Sequence, residues 1–380
     1  MILNRKRERR GSIDFDLPEP VIEFDEFGLM KSITRSERNV AHRIIEEFML
    51  SANECVASYL ENKRVASLYR IHEKPDAKRV YDFEVIAATF GYSLGVGPLP
   101  IQRMRFKTDR RASYGTGKRA REIEIPKEVH ITPRMYQKLT EKIAGKPEER
   151  ILSFLMLRSL KQARYSEENL GHFALAAKAY THFTSPIRRY PDLIVHRILK
   201  EVLCDSAERW EGQIPIGVSS RPGDGTASPW SKRREHAPVE PIGGPIPIEE
   251  LHDIAEESSQ TERRADDAER ELMEWKKVKF MQERVGEDFD GLIISVTKFG
   301  FFVELTDLFI EGLVPLATLT DDRYTYHENT REIIGQRNRK TYRLGQRIRV
   351  LVDRIDPVEK KIQFAIVEEH EQRAAKRKRR

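Results

Sequence analysis

Residues 180–197 read YTHFTSPIRRYPDLIVHR. Adjacent arginines, Arg188 and Arg189, follow a Ser185-Pro186 corner and stand just ahead of an apolar helical pattern. A proline at 191 suits the first turn of a helix, and Asp192 suits its positive end. Ile194, Ile198 and Val202 continue the buried stripe. Read alone, an arginine pair is a solvated or ion-paired surface, and the rest of the chain must say whether this pair is more than that.

The chain has 380 residues, long enough for two or three domains. It is 39% hydrophobic and 34% charged, which suits a protein with much surface in water. With 67 basic against 61 acidic residues the net charge is +6, so nucleic-acid binding is permitted but local clustering must decide it. Cys55 and Cys204 form no CxxC pattern and have no neighbouring histidine cluster, which argues against a disulfide framework or zinc and for a reducing, cytoplasmic setting. The basic start MILNRKRERRG lacks the apolar core of a secretory signal, and no stretch nears the ~18 uninterrupted apolar residues of a membrane span.

Helical periodicity is predicted over 36–63, with Ser36 as cap, over 148–164, and from Pro191 onward. From Gln213 to about Ile248 the sequence is rich in Pro, Gly and Ser, an insertion or linker. A long charged helix follows over 249–284. After Gly286 the period shortens to two. DFDGLIISV, GFFVEL, FIEGLVPL, RIRVLVDRI and KIQFAIV read as five short strands, which suggest a small OB-type barrel. The tail RAAKRKRR reads as basic and disordered over 369–380.

The segment GLIISVTKFGFFVELTDLFIEGLVPL (291–316) resembles the S1 RNA-binding domain, and the likeness covers about 285–368. Gly300 bends the chain so that Phe299 and Phe302 emerge on one face beside Lys298. Exposed aromatics stack on bases while cations hold phosphates. A lone phenylalanine would be core; Phe-Gly-Phe-Phe after a lysine points to RNA. Pro315 stands where this family has a histidine. Lys360, four residues after Asp356, occupies the place of a frequent basic residue.

HFALAAKAYTHFTSPIRRYPDLIVHR (172–197) resembles the signature of the ribonuclease II/ribonuclease R catalytic domain, the RNB domain. RGSIDF (10–15), RNVAHRIIEEFMLSAN (38–53), RIHEKP (70–75) and ERRADDAER (262–270) resemble it further. The likeness implies an α+β fold: a partial RNB domain of mixed sheet and helices over 1–212, closed by the 249–284 helix and followed by the S1 barrel. It also implies hydrolysis of RNA from the 3′ end, processively, to nucleoside 5′-monophosphates. By resemblance Arg188 stabilises charge on the phosphoryl oxygens, a task for forked guanidinium donors. Arg189 would contact a backbone phosphate, Phe15 would stack on a terminal base, and Glu47 would sit near the terminal nucleotide. Taken alone, Phe15 is a core residue and Glu47 a partner for Arg43. Tyr180, His182, Thr184 and Ser185 are expected to line the RNA channel, although a satisfied core histidine reads His182 equally well.

The family holds Mg²⁺ through an aspartate cluster ahead of RGSIDF, and no substitute spacing is found here. Asp14, Asp16 and Asp25, ADDAE (265–269) and TDD (320–322) read as solvated acids, so no metal ligands are assigned. Two readings follow. One is the C-terminal portion of an exoribonuclease, active when a longer frame or a separate partner chain supplies the acidic segment. The other is an inert single-stranded RNA-binding remnant. Either would take single-stranded RNA, or structured RNA with a 3′ overhang, and neither involves a membrane.

Overall fold

The computed structural model describes residues 2–15, 20–28, 30–35, 39–96, 101–105, 122–126, 130–146, 148–207, 243–327 and 330–367. The fold is α+β. In chain order it begins with α1 (Ile2–Arg10), β1 (Pro20–Phe24), β2 (Met30–Arg35), α2 (Val40–Asn62), β3 (Tyr69–Ile71) and α3 (Ala77–Thr89). Next come β4 (Ile101–Arg105), β5 (Glu122–Pro126), α4 (Pro133–Ile143), α5 (Glu149–Ser159), β6 (Arg164–Ser166) and α6 (Tyr190–Ala207). The long helix α7 (Ile248–Gln282) leads to β7 (Asp288–Thr297), β8 (Gly300–Leu305), β9 (Glu311–Pro315), β10 (Tyr324–His327) and β11 (Glu332–Gly335). β12 (Thr341–Tyr342), β13 (Arg347–Asp356) and β14 (Lys361–Ile366) end the described chain. No described helix is long and apolar enough to cross a membrane.

Contacts divide the chain into two compact units, Met1–Asp16 with Asn39–Thr261, and Leu17–Arg38 with Glu262–Arg380. In the first, Phe83 of α3, Tyr136 and Leu139 of α4, Leu152 and Met156 of α5 and Phe173 form one buried cluster. Leu60, Leu68, Tyr165, Ile194, Val195, Ile198, Leu251 and Ala255 form a second, which fixes the buried side of α6. The expected cap Ser36 lies outside the described residues. Asn39 caps α2 instead, its side chain accepting the His42 amide at 3.0 Å, so the helix starts at Val40. α5 stops at Ser159, short of the expected 164, because the chain turns extended at Leu160 to pair β6 with β3.

The second unit is a closed five-stranded barrel in the order β13-β14-β9-β8-β7, built from the five segments read as strands. Phe301, Val303, Val350, Val352 and Phe364 fill it. Gly300, at φ +150, runs so close to β9 that a Cβ there would lie 2.1 Å from the Val314 carbonyl oxygen. The β1–β2 hairpin belongs to this unit and packs Met30 and Ile33 on the barrel core. So does the C-terminal part of α7, through Val278, Phe280 and Met281. Both segments fall outside the 285–368 boundary drawn from sequence.

Candidate functional site

The 180–197 segment is held from three sides in the first unit. The Arg70 amide donates to the Tyr180 carbonyl at 2.8 Å, and the Thr181 hydroxyl to the Leu68 carbonyl at 2.6 Å. Asn53, buried on α2, bridges Tyr180 and Phe183. Its amide nitrogen donates to the Tyr180 hydroxyl and its oxygen accepts the Phe183 amide, both at 3.0 Å. His196 Nε2 donates to the Phe183 carbonyl at 2.8 Å, and the two rings stack at 4.0 Å. After this rail comes the corner. The Ser185 carbonyl accepts the amides of Arg188 at 3.3 Å and Arg189 at 3.1 Å. Asp192, wholly buried, accepts the Ser185 amide and the Arg189 guanidinium on one oxygen, each at 2.8 Å.

The arginine pair is thereby split. Arg188 is exposed, and its guanidinium meets no carboxylate among the described residues. Arg189 turns inward to Asp192, where the sequence reading expects an RNA phosphate. Thr184 and Ser185 are half-buried at the corner's edge. Tyr180 is buried, and its hydroxyl is engaged by Asn53 rather than facing solvent. His182 Nδ1 lies 2.8 Å from the Tyr165 hydroxyl. Burial, then the charges of Arg189, Arg70 and Arg188, push the His182 pKa down to about 3, so the ring is neutral near pH 7. Burial also lowers His72 and His172.

Phe15 is half-buried against the cluster of Tyr136 and Phe173, a packing position. Glu47 does not pair with Arg43 one turn back. It meets Arg7 of α1 at 2.8 Å, and Arg7 also reaches Asp14 at 3.6 Å and the Ser12 hydroxyl at 3.2 Å. The RGSIDF stretch and Glu47 are therefore brought together, but through an arginine that neutralises both acids. Sequence reasoning missed Arg7, Asn53, Tyr165 and the buried role of Asp192. The pairings of Arg7, Asn53 and Tyr165 join residues far apart in sequence and leave no periodic trace, while Asp192 looks like an ordinary first-turn acid.

Mg²⁺ demands several hard oxygen ligands in tight geometry. Among the described residues no three His, Cys, Asp or Glu side chains converge to hold an ion. Asp14 is taken by Arg7, Asp16 lies outside the described residues, and Asp25 accepts the Phe27 amide in the other unit. Asp267 pairs with Arg270, while Asp321 and Asp322 accept the Tyr324 hydroxyl and the amides of Arg337 and Asn338. The described carboxylates do not fit the ion.

On the barrel, alternation along β8 buries Phe301 fully and leaves Phe302 37% exposed; Phe299, in the turn before it, is 67% exposed. Lys298 Nζ stands 5.0 Å from the Phe299 ring centre. Lys298 and Phe299 thus form a cation–aromatic pair, and Phe302 is a second exposed aromatic three residues on. Lys360 does not join them: its ammonium pairs with Glu271, and its φ of +52 closes the β13–β14 turn. Asp356 accepts the Val358 and Glu359 amides of the same turn.

A family model described as "RNB domain" matches residues 1–205, and one described as "S1 RNA binding domain" matches residues 282–367. The chain belongs to the RNB family. Ribonuclease R of Aquifex aeolicus (strain VF5) is 38% identical over 370 residues, 97% of this chain and 43% of that protein. Ribonuclease R 1 of Lactococcus lactis subsp. lactis (strain IL1403) is 40% identical over 363 residues, 96% of this chain and 37% of that protein. The RNB chain thus spans less than half the length of these relatives. Mycoplasma genitalium RNase R, solved in its apo form and with ribose methylated single-stranded RNA, shares the fold at a TM-score of 0.71 and 24% identity. That alignment covers 96% of this chain and 48% of the other. Both the RNB corner at 185–192 and the S1 segment at 298–302 lie within the matched residues.

Proposed function

We propose that this chain is the RNA-gripping portion of a ribonuclease R-type 3′–5′ exoribonuclease, with Arg188 facing the scissile phosphodiester. The substrate is single-stranded RNA, or structured RNA with a 3′ overhang, hydrolysed processively to nucleoside 5′-monophosphates. The observation that carries this reading is an exposed guanidinium that meets no carboxylate among the described residues, on a corner locked by three hydrogen bonds. A fixed cation of this kind stabilises charge that builds on phosphoryl oxygens as water attacks. The exposed S1 aromatics would stack bases further along the strand, in keeping with the RNA held by the Mycoplasma genitalium protein of the same fold.

In the complete nuclease, Arg188→Ala is expected to lower turnover about 10²–10³-fold while the RNA Kd changes by only about fivefold at 0.1 M salt, the share of one phosphate contact. Equal losses in turnover and affinity would instead identify a plain phosphate clamp. A second reading, binding without cutting, is favoured by the described acids' failure to converge. In it, and also where the Mg²⁺ carboxylates come from a longer frame or a second chain, this chain with Mg²⁺ and 3′-labelled RNA retards the strand and releases no mononucleotide. Release of mononucleotides would overturn the claim of an incomplete centre.

A further inference from the structure

We propose that Asp192 is a positioning residue for Arg188: its buried carboxylate holds the 185–188 corner closed, and Arg189 is its counter-charge rather than an RNA ligand. The inference rests on the reading of Arg188 given above. Among the described residues, nothing packs over the tip of this corner. Ile187 is 102% exposed and Arg188 is exposed beside it, so burial does not order the turn. What fixes it is a ring of polar contacts closed by Asp192. Pro186 sets its own φ on one side, the first turn of α6 sets Asp192 on the other, and the Ser185 amide donates across the gap to Asp192 Oδ1 at 2.8 Å.

The ion pair by itself does not account for this placement. An arginine and a carboxylate paired for their own sake meet fork to fork, through two parallel bonds. Here both donors fall on Oδ1, while Asp192 Oδ2 and Arg189 Nε are buried with no hydrogen-bond partner. The carboxylate is therefore oriented by the Ser185 amide, and the guanidinium follows as compensation for a charge that is 0% exposed. Swinging Arg189 out to an RNA phosphate would leave that charge bare.

The test compares two variants in a background where the counter-charge is already gone, so neither leaves a buried ion alone. Arg189→Gln/Asp192→Leu keeps the volume and lacks an acceptor; Arg189→Gln/Asp192→Asn keeps the acceptor. Binding of a labelled oligoadenylate to the full chain is followed against salt. Arg188→Ala alone should lower the slope of log Kobs against log[salt] by about 0.7, the share of one single-strand phosphate. The leucine form should lose the same share, and adding Arg188→Ala to it should cost nothing more. The asparagine form should restore the full slope and its dependence on Arg188. Amide exchange at Ser185 in the RNA-free chain should be slow with Asp or Asn at 192 and fast with Leu. A melting curve checks each fold, with Asp192→Ala in the same background replacing the leucine form if that one melts early.

A leucine form that keeps an Arg188-dependent slope and a protected Ser185 amide would overturn the inference. So would an asparagine form with a reduced slope, because Arg189 would then be touching phosphate itself. An unchanged slope for Arg188→Ala alone would instead remove the reading of Arg188 as an RNA contact, and the positioning role with it, while Ser185 exchange still reported on the corner.

Discussion

Three imidazoles in the first unit have lowered pKa values, chiefly through burial. The Ala174 amide donates to His72 Nδ1 at 3.2 Å, the Leu175 amide to His172 Nδ1 at 3.3 Å, and Tyr165 meets His182 Nδ1. A histidine whose folded value lies below the unfolded one leaves the unfolded chain binding more protons between the two. Its contribution is complete above about pH 6.5 and is lost as pH falls toward the folded value, for His182 about 3. Urea midpoints should therefore drop from pH 7.5 to pH 5. His182→Gln should flatten that dependence by up to about 1.4 kcal/mol per pH unit. An unaltered pH profile in the variant would mean that His182 is not a buried neutral ring. At this scale the sequence was partly legible. The 180–197 motif marked both arginines, but their fates diverge through Asp192, whose visible role was only that of a first-turn acid. Glu47 was legible as an acid with a cationic partner, yet that partner, Arg7, is 40 residues away and not on the same helix.

Among the elements, β8 and the turn before it separate exposed from buried aromatics within consecutive residues. Phe301 is fully buried in the barrel while Phe299 and Phe302 meet solvent. Phe299→Ala is expected to weaken single-stranded RNA binding by about 1–3 kcal/mol and leave the melting temperature unchanged. Phe301→Ala should do the reverse, costing about 3–5 kcal/mol of stability. Gel retardation and thermal melts on both variants decide the matter, and a large stability loss at Phe299 would reassign it to the core. The barrel strands were legible because period-two alternation over a half-buried surface is strong and local. Helix α1 was not, since ILNRKRERR has no apolar stripe. It docks instead through Arg7 on Glu47 and Arg10 on Glu54. The β10-β11-β12 sheet also went unread; its turns are tied by Asp322 and Asn338 rather than by glycine-rich signals.

For the whole molecule, the boundaries found by periodicity describe segments, whereas the units are defined by packing, and the chain crosses between them after residues 16, 38 and 261. Ile33 of β2 packs on the barrel core, while Val21 of β1 is 45% exposed. Ile33→Asp should lower the stability of the barrel unit by about 2 kcal/mol or more, because a charge would enter an apolar contact. Val21→Asp on the same hairpin should be near neutral. Equal melting curves for the two variants would argue that the hairpin is not part of that unit.

The crossings also bear on how such a gene can be rearranged. The stretch from 282 to 367 looks like a cassette that recombination could lift out and splice elsewhere. Its lining, though, is encoded some 250 codons earlier, at Met30 and Ile33. A transplanted copy would arrive with that apolar patch bare, prone to stick to its neighbours until the new host supplied a replacement. Inheritance of the two modules is tied together by a hairpin that neither sequence signature would flag as shared.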